Sequence, residues 1–254
     1  MFSTGILILF LLATLAQCYF WGVRFRRLAV KTHTPSVSPH TPPLSLIICA
    51  RNEAENLAAR LPAILTQAYP DFELILVDHA STDDTLQLLN RLALEHPHLR
   101  IIHCEDPSPG KKAPLSLGIH AARHEWIVLT DADCQVASPH WLRHIADQTD
   151  PAADLILGYG PLEEQSGFLN AFARFETVLT AIQYFSYALL GQPYMGVGRN
   201  LAYRRSFRNR LGLPRRCPLR SREVPALAQC GELLRTACAH LHARFDADRD
   251  DTRS

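Results

Sequence analysis

Asp131-Ala132-Asp133 places two carboxylates two residues apart at the end of an apolar run, Trp126 to Thr130. In extended backbone, residues i and i+2 project to one side. Carboxylates held that close repel, and each raises the other's pKa unless a cation stands between them. Mg²⁺ or Mn²⁺ removes that cost, preferring oxygen ligands that it shares with phosphate groups. An acidic turn ahead of the next helix is the other reading of the same three residues. Gly110-Lys111-Lys112-Ala113 opens a helical segment before that strand. A lysine opposes the dipole at a helix N-terminus, and an anionic ligand gives it a reason to be there; a solvated surface turn is the alternative. Asp78 closes a further apolar run, and Arg51-Asn52-Glu53 follows another.

The elements that must position these groups alternate. Leu44–Ala50, Phe72–Asp78, Leu99–Cys104, Trp126–Thr130 and Ala153–Tyr159 are short runs rich in Ile, Leu and Val, the pattern of strands buried on both faces. Leu57, Leu61, Ile64 and Leu65 recur at helical spacing after the first, with Asn52 as the expected cap; Leu86, Leu89 and Leu92 do so after the second. Ser138-Pro139 reads as the start of another helix. Strands alternating with helices imply a mostly parallel sheet, and ligands of such sheets bind at the carboxyl ends of the strands. Asp78, Asp131 and Asp133 all fall at that edge. No G-x-G-x-x-G follows the first strand, no G-x-x-x-x-G-K-[ST] is present, and G-x-S-x-G is absent, which disfavours a dinucleotide dehydrogenase, a P-loop NTPase and a serine hydrolase.

Composition bounds the remaining classes. The 254 residues carry 26 Lys+Arg and 25 Asp+Glu, a net charge of +1, so no overall basic field supports nucleic-acid binding. The seven cysteines are scattered without a CxxC pair, which reads as reduced thiols in a cytosolic environment. Met1 to Val23 contains no charged residue, ends in Tyr19-Phe20-Trp21, and is followed by Arg24, Arg26, Arg27 and Lys31. A transmembrane helix with the rest of the chain on the cytoplasmic side is expected, at an inner or plasma membrane. The expected organisation is therefore a transmembrane helix over 1–23, a basic and Pro-rich linker over 24–43, an α/β domain over 44–205 and an Arg-rich tail over 206–254.

Four motifs in order resemble family 2 glycosyltransferases of the GT-A fold: Ile48-Cys-Ala-Arg-Asn-Glu-Ala-Glu-Asn56, Ile75-Leu-Val-Asp-His-Ala-Ser-Thr-Asp-Asp-Thr85, Gly110-Lys-Lys-Ala-Pro-Leu-Ser-Leu-Gly-Ile119 and Ile127-Val-Leu-Thr-Asp-Ala-Asp133. Tyr194 to Arg205 resembles the later strand beside the acceptor site, and the membrane-bound branch of polysaccharide synthases and lipid glucosyltransferases looks most similar. The resemblance implies a Rossmann-like, mostly parallel sheet flanked by helices. It also implies inverting, metal-dependent sugar transfer from a nucleotide-sugar, a UDP-sugar above all, to a lipid or glycan acceptor. On that footing Asp78 contacts the base, Ala50 and Glu53 line the base and ribose pocket, Lys111 sits near the nucleotide, Asp131 lies near ribose and metal, and Asp133 ligates Mg²⁺ or Mn²⁺. His79 departs from the usual acidic pair.

The family's Gln-x-x-Arg-Trp motif is absent from residues 206–254, and its general base, in an acidic pair after the metal motif, has no strand to present it there: Asp246, Asp248, Asp250 and Asp251 read as a solvated charged tail, so the catalytic base is unassigned. The change of composition after Arg205 reads as a frame-shifted or aberrant tail or else as a divergent helical end, with an amphipathic helix over Ala226–Leu241; a nucleotide-sugar-binding module or inactive fragment is the alternative function. Gly167 to Leu190 reads as an aromatic-rich helix, either buried in the core or lying on a membrane surface.

Overall fold

The computed structural model describes residues 2–30, 41–106, 108, 110–149 and 153–210. Residues 31–40 of the linker and residues 211–254 of the Arg-rich tail lie outside the described residues.

The described chain forms two compact units. One contains residues 41–160 and 196–210. Its six strands are β1 (Leu44–Ala50), β2 (Phe72–His79), β3 (Leu99–Cys104), β4 (Trp126–Asp131), β5 (Leu155–Leu157) and β6 (Leu201–Arg204), in the spatial order β3-β2-β1-β4-β6-β5. The first four strands pair in parallel, whereas β6 runs antiparallel to both β4 and β5. The sheet is therefore mixed. The fifth strand expected over 153–159 is only three residues long; it runs in the same direction as β4 but pairs with the antiparallel β6 that lies between them, a neighbour that a short apolar run does not encode.

Alternation within the parallel strands buries both faces. Leu46, Ile48, Leu74, Leu76 and Val128 pack on one side against Leu57 and Leu61 of α3 (Ala54–Leu65), Leu89 of α4 (Thr85–Glu95) and Leu142 of α6 (Trp141–Ala146). Ile47, Ile75, Val77, Ile127 and Leu129 pack on the other with Ile119 of α5 (Lys112–Ala121) and with Leu201 and Tyr203 of β6. Gly118 allows α5 to approach the sheet: a Cβ there would lie 2.6 Å from Ile47 Cγ2 and 3.1 Å from Val77 Cγ2. Asn52 does not cap α3. It adopts φ 55° one residue earlier and sends its side chain across to the loop after β2. A short α8 (Arg205–Arg210) follows β6, so the first residues of the expected tail are helical.

The other unit contains residues 2–30 and 161–195. Helix α1 (Phe2–Tyr19) continues through a π-helical turn (Phe20–Phe25) into α2 (Arg26–Val30), so the start of the expected linker is helical. Thr4–Phe25 is long and apolar enough to cross a membrane, with none of it buried. Helix α7 (Phe168–Leu189) packs against the π-helical turn and α2. Arg24 fastens this joint: its guanidinium lies 5.7 Å from the Tyr19 ring centre and 5.5 Å from that of Tyr187, and it donates to Gln192 Oε1 at 3.4 Å.

Candidate functional site at the carboxyl edge of the sheet

The strand order reverses direction between β1 and β4, because β2 and β3 build out from one side of β1 and β4 from the other. A crevice at the carboxyl ends beside such a reversal is where open α/β sheets bind ligands. The expected site residues gather along this edge. Asp131 is the last residue of β4 and pairs in register with Cys49, while Asp78 near the end of β2 pairs with Ala50, the last residue of β1. Two strand spacings separate β2 from β4, about 10 Å.

Lys111 precedes α5 and turns its side chain to the end of β4, where Nζ donates to Asp131 Oδ1 at 2.9 Å. Burial opposes the charge on Lys111, but the hydrogen bond and charge of Asp131, with Asp133 adding to them, outweigh it and raise the ammonium's pKa. After Asp131 the chain turns, with Cys134 N–H donating to Asp131 O at 3.1 Å. The turn leaves Asp133 exposed, and its Oδ1 accepts the Cys134 thiol at 3.9 Å. Ligand atoms of Asp131, Asp133 and Cys134 lie within 4.8 Å of one another. Burial raises the Cys134 thiol's pKa, as it does that of Cys49, pushed up to about 12. The two carboxylates of the cluster are hard oxygen donors, a set that fits Mg²⁺ or Mn²⁺. Asp131 is engaged by Lys111, so Asp133 is the carboxylate more open to an ion.

At the other end of the edge, Asp78 is 0% exposed. His103 of β3 donates from Nδ1 to Asp78 Oδ2 at 2.8 Å, and Asp78 Oδ1 is buried without a hydrogen-bond partner. The His103 ring bonded to this buried carboxylate is itself half exposed. His79 points to the opposite face, where Nε2–H donates to the carbonyl of Asp106 at 2.6 Å and holds the loop before α5. Its departure from the acidic pair has a structural use.

Two loops at this edge are sewn together. Asn52 Oδ1 accepts Thr82 N–H at 2.8 Å, and Asn52 N–H donates to Ser81 Oγ at 3.0 Å. Asp83 accepts from Ala54 and Thr85 N–H, and Glu53 N–H donates to Thr85 Oγ1. The Glu53 carboxylate is turned to its own helix, accepting Asn56 Nδ2 at 2.6 Å. The structure thus uses the Glu53 side chain to order the first turn of α3, while its backbone joins the loops. Ala50 is buried beneath them.

The strand that returns beside β4 completes the site. Thr130 Oγ1 donates to Arg199 O at 2.9 Å, Trp141 Nε1 to Asn200 Oδ1 at 3.2 Å, and Asn200 Nδ2 to Tyr159 O at 3.0 Å. Gly158 makes this packing possible, since a Cβ there would lie 2.3 Å from Asn200 Cγ. Together these bonds fix the 196–200 loop next to the Asp131–Asp133 turn. His103, Trp141 and the bonded role of Asn200 were not singled out by the sequence reading. A polar residue at the end of a strand, as His103 is, was the one available signal.

Comparison with known proteins gives the same frame. Residues 45–212 match the family model for glycosyl transferase family 2. The glycosyltransferase AglE of Haloferax volcanii is 33% identical over 122 residues, 46% of this chain and 39% of that protein. A PGL/p-HBAD biosynthesis glycosyltransferase of Mycobacterium bovis is 34% identical over 120 residues, 46% of each chain. The poly(ribitol-phosphate) beta-glucosyltransferase of Bacillus spizizenii is 29% identical over 117 residues, 45% of this chain and 18% of that protein. The chain thus spans less than half the length of these relatives. Among solved structures, the mannosyltransferase PcManGT from Pyrobaculum calidifontis, in complex with GDP-Man and Mn²⁺, superposes with a TM-score of 0.60 at 23% identity, covering 78% of this chain and 55% of that one. TarS of S. aureus superposes with a TM-score of 0.55 at 18% identity, covering 77% and 33%. These two likenesses are of fold. With four motifs in order on the sheet edge and the match over 45–212, the chain belongs to glycosyl transferase family 2.

Proposed function

We propose that this chain transfers a sugar from a nucleotide-sugar, a UDP-sugar in the first instance, to a lipid or glycan acceptor with inversion and with Mg²⁺ or Mn²⁺. The observation that carries the reading is the Asp131–Asp133 turn facing Lys111 across the carboxyl end of β4. The family match supports it, as do the GDP-Man and Mn²⁺ bound by PcManGT and the glucosyl transfer of the Bacillus spizizenii relative.

Asp133, with Asp131, would hold the cation. When bound, that ion supplies Lewis-acid stabilisation of the charge that develops on the leaving diphosphate. Lys111 places a fixed ammonium beside the same charge and keeps Asp131 oriented. Asp78, Ala50 and Glu53 belong to the base and ribose end, where Asp78 sets the His103 ring and the Glu53 backbone joins the two loops. The 196–200 loop, held by Trp141 and Thr130, stands on the acceptor side. The apolar Thr4–Phe25 helix and the arginines after it support a cytoplasmic-facing domain anchored in the bilayer.

Asp133→Ala tests the reading. We expect Mn²⁺-dependent binding of UDP, measured by calorimetry on detergent-solubilised full chain, to fall at least about tenfold, or ~1.4 kcal/mol, with an unchanged circular dichroism spectrum. A variant that binds UDP and Mn²⁺ like the parent would remove the metal assignment.

A further inference from the structure

The first half of α7 carries large apolar side chains that the protein leaves uncovered. Phe168 and Leu169 are 81% exposed, Phe175 60%, Phe172 52% and Val178 44%. Phe168, Phe172 and Phe175 follow helical spacing and form one stripe, with Leu169 and Val178 on its two flanks. The second half of the helix behaves differently, with Ala181, Tyr184 and Ser186 buried. A core helix would bury both halves. A patch of this kind on a soluble surface is an association site or an aggregation liability.

What covers the stripe follows from where α7 is attached. Its C-terminal end is bolted to the π-helical turn Phe20–Phe25 by Arg24, Tyr187 and Gln192. That turn is the end of the apolar helix from which the basic residues emerge. It carries Phe20 and Trp21, each in ring contact with Phe25, the kind of aromatic cluster that settles at a bilayer surface. The charges of α7 fit a surface position rather than a crossing. Arg174 points away from the stripe by helical phase and pairs with Glu164 at 3.1 Å, and the exposed Glu176 falls in phase between Phe172 and the flanking Leu169, a charge that suits the headgroup level and not the acyl interior.

We infer that the Phe168–Val178 half of α7 lies in the headgroup–acyl boundary of the bilayer, as a second membrane contact beside the anchoring helix. The inference rests on the reading that Thr4–Phe25 spans the membrane. Phe168, Phe172 and Phe175 enter the acyl region, and the turn at Arg24 is the hinge point shared by both contacts. An amphipathic helix held this way adds interfacial binding to an anchored chain and restrains its orientation at the surface.

The test uses the full chain in nanodiscs of phosphatidylcholine and phosphatidylglycerol. Phe172→Trp is compared with the parent, so that the native tryptophans cancel. Leu11→Trp, in the middle of the anchoring helix, is the reference. We expect the fluorescence added by Phe172→Trp to be quenched more than about twofold by lipids brominated high on the acyl chain and to be shielded from aqueous acrylamide. Acrylamide quenching without bromolipid quenching overturns the inference. Shielding from both quenchers overturns it too, because another protein surface then covers the stripe. If Leu11→Trp is quenched by bromolipid and Phe172→Trp is not, only the α7 contact fails. If neither is quenched, the membrane-spanning reading falls with it.

Discussion

Lys111 does two jobs whose energetics pull in opposite directions. Its ammonium neutralises Asp131, which lowers the attraction of the carboxylate pair for a free cation, and it adds positive charge where a diphosphate would sit. Removing it separates the two effects. Lys111→Met is expected to bind Mn²⁺ alone more tightly, by a few-fold, and UDP in the presence of Mn²⁺ about tenfold more weakly, a swing of ~1.4 kcal/mol set by loss of one charge at close range. Titrating Mn²⁺ with and without UDP reads both numbers, and a parallel loss of both affinities would mean that Lys111 only props up the fold. The carboxylates and this lysine were legible in the sequence because charged residues ending an apolar run announce themselves. The partner of Asp78 was not. His103 lies on a different strand, and only the register of β2 with β3 brings its ring over that buried carboxylate. Nor does spacing reveal that the Glu53 carboxylate turns to Asn56.

At the level of elements, the opposite edge of the sheet has a staple of its own. Glu73 of β2 is buried, accepting Ser45 Oγ of β1 and Arg123 N–H at 2.6 Å each and Arg100 of β3 at 2.7 Å. Burial pushes this carboxyl's pKa up, but the three hydrogen bonds and the Arg100 charge together hold it below its ordinary 4.5. A folded-state pKa below the unfolded one gives stability that is complete above the unfolded value and lost as pH falls through the folded one. The thermal midpoint is therefore expected to drop between about pH 5 and pH 3, and Glu73→Gln should lower the midpoint at neutral pH while flattening that slope. An unchanged slope would place the acid sensitivity elsewhere. Four of the strands were readable to within a residue, since runs of Ile, Leu and Val between polar loops have few other uses. The neighbour that β5 joins and the antiparallel insertion of β6 were not, because a strand of three or four residues carries no record of which neighbour it joins. Asn52 had the residue type of a cap, and tertiary demand moved it to the next loop.

Across the whole molecule, the sheet is sewn from chain that does not arrive together. β4 pairs with β1 on one side and with β6 on the other, with Trp126 opposite Arg204. Between those two residues in sequence come α6, β5 and the whole of α7. During synthesis this order sets a timetable. β4 emerges from the ribosome with its inner edge satisfied and its outer edge bare, and it waits until residues 201–204 have been translated. An unpaired, apolar strand edge is a template for the wrong partner, and long-range pairing is slow to close. Ribosome-bound chains halted with Met195 just outside the exit tunnel should therefore be cut rapidly by protease within Trp126–Asp131, and chains extended past Arg210 should resist. Equal resistance at both lengths would show that the parallel half is a finished folding unit by itself. The antiparallel return strand is thus a latch, and until it is translated the outer edge of β4 stays open to a neighbouring chain.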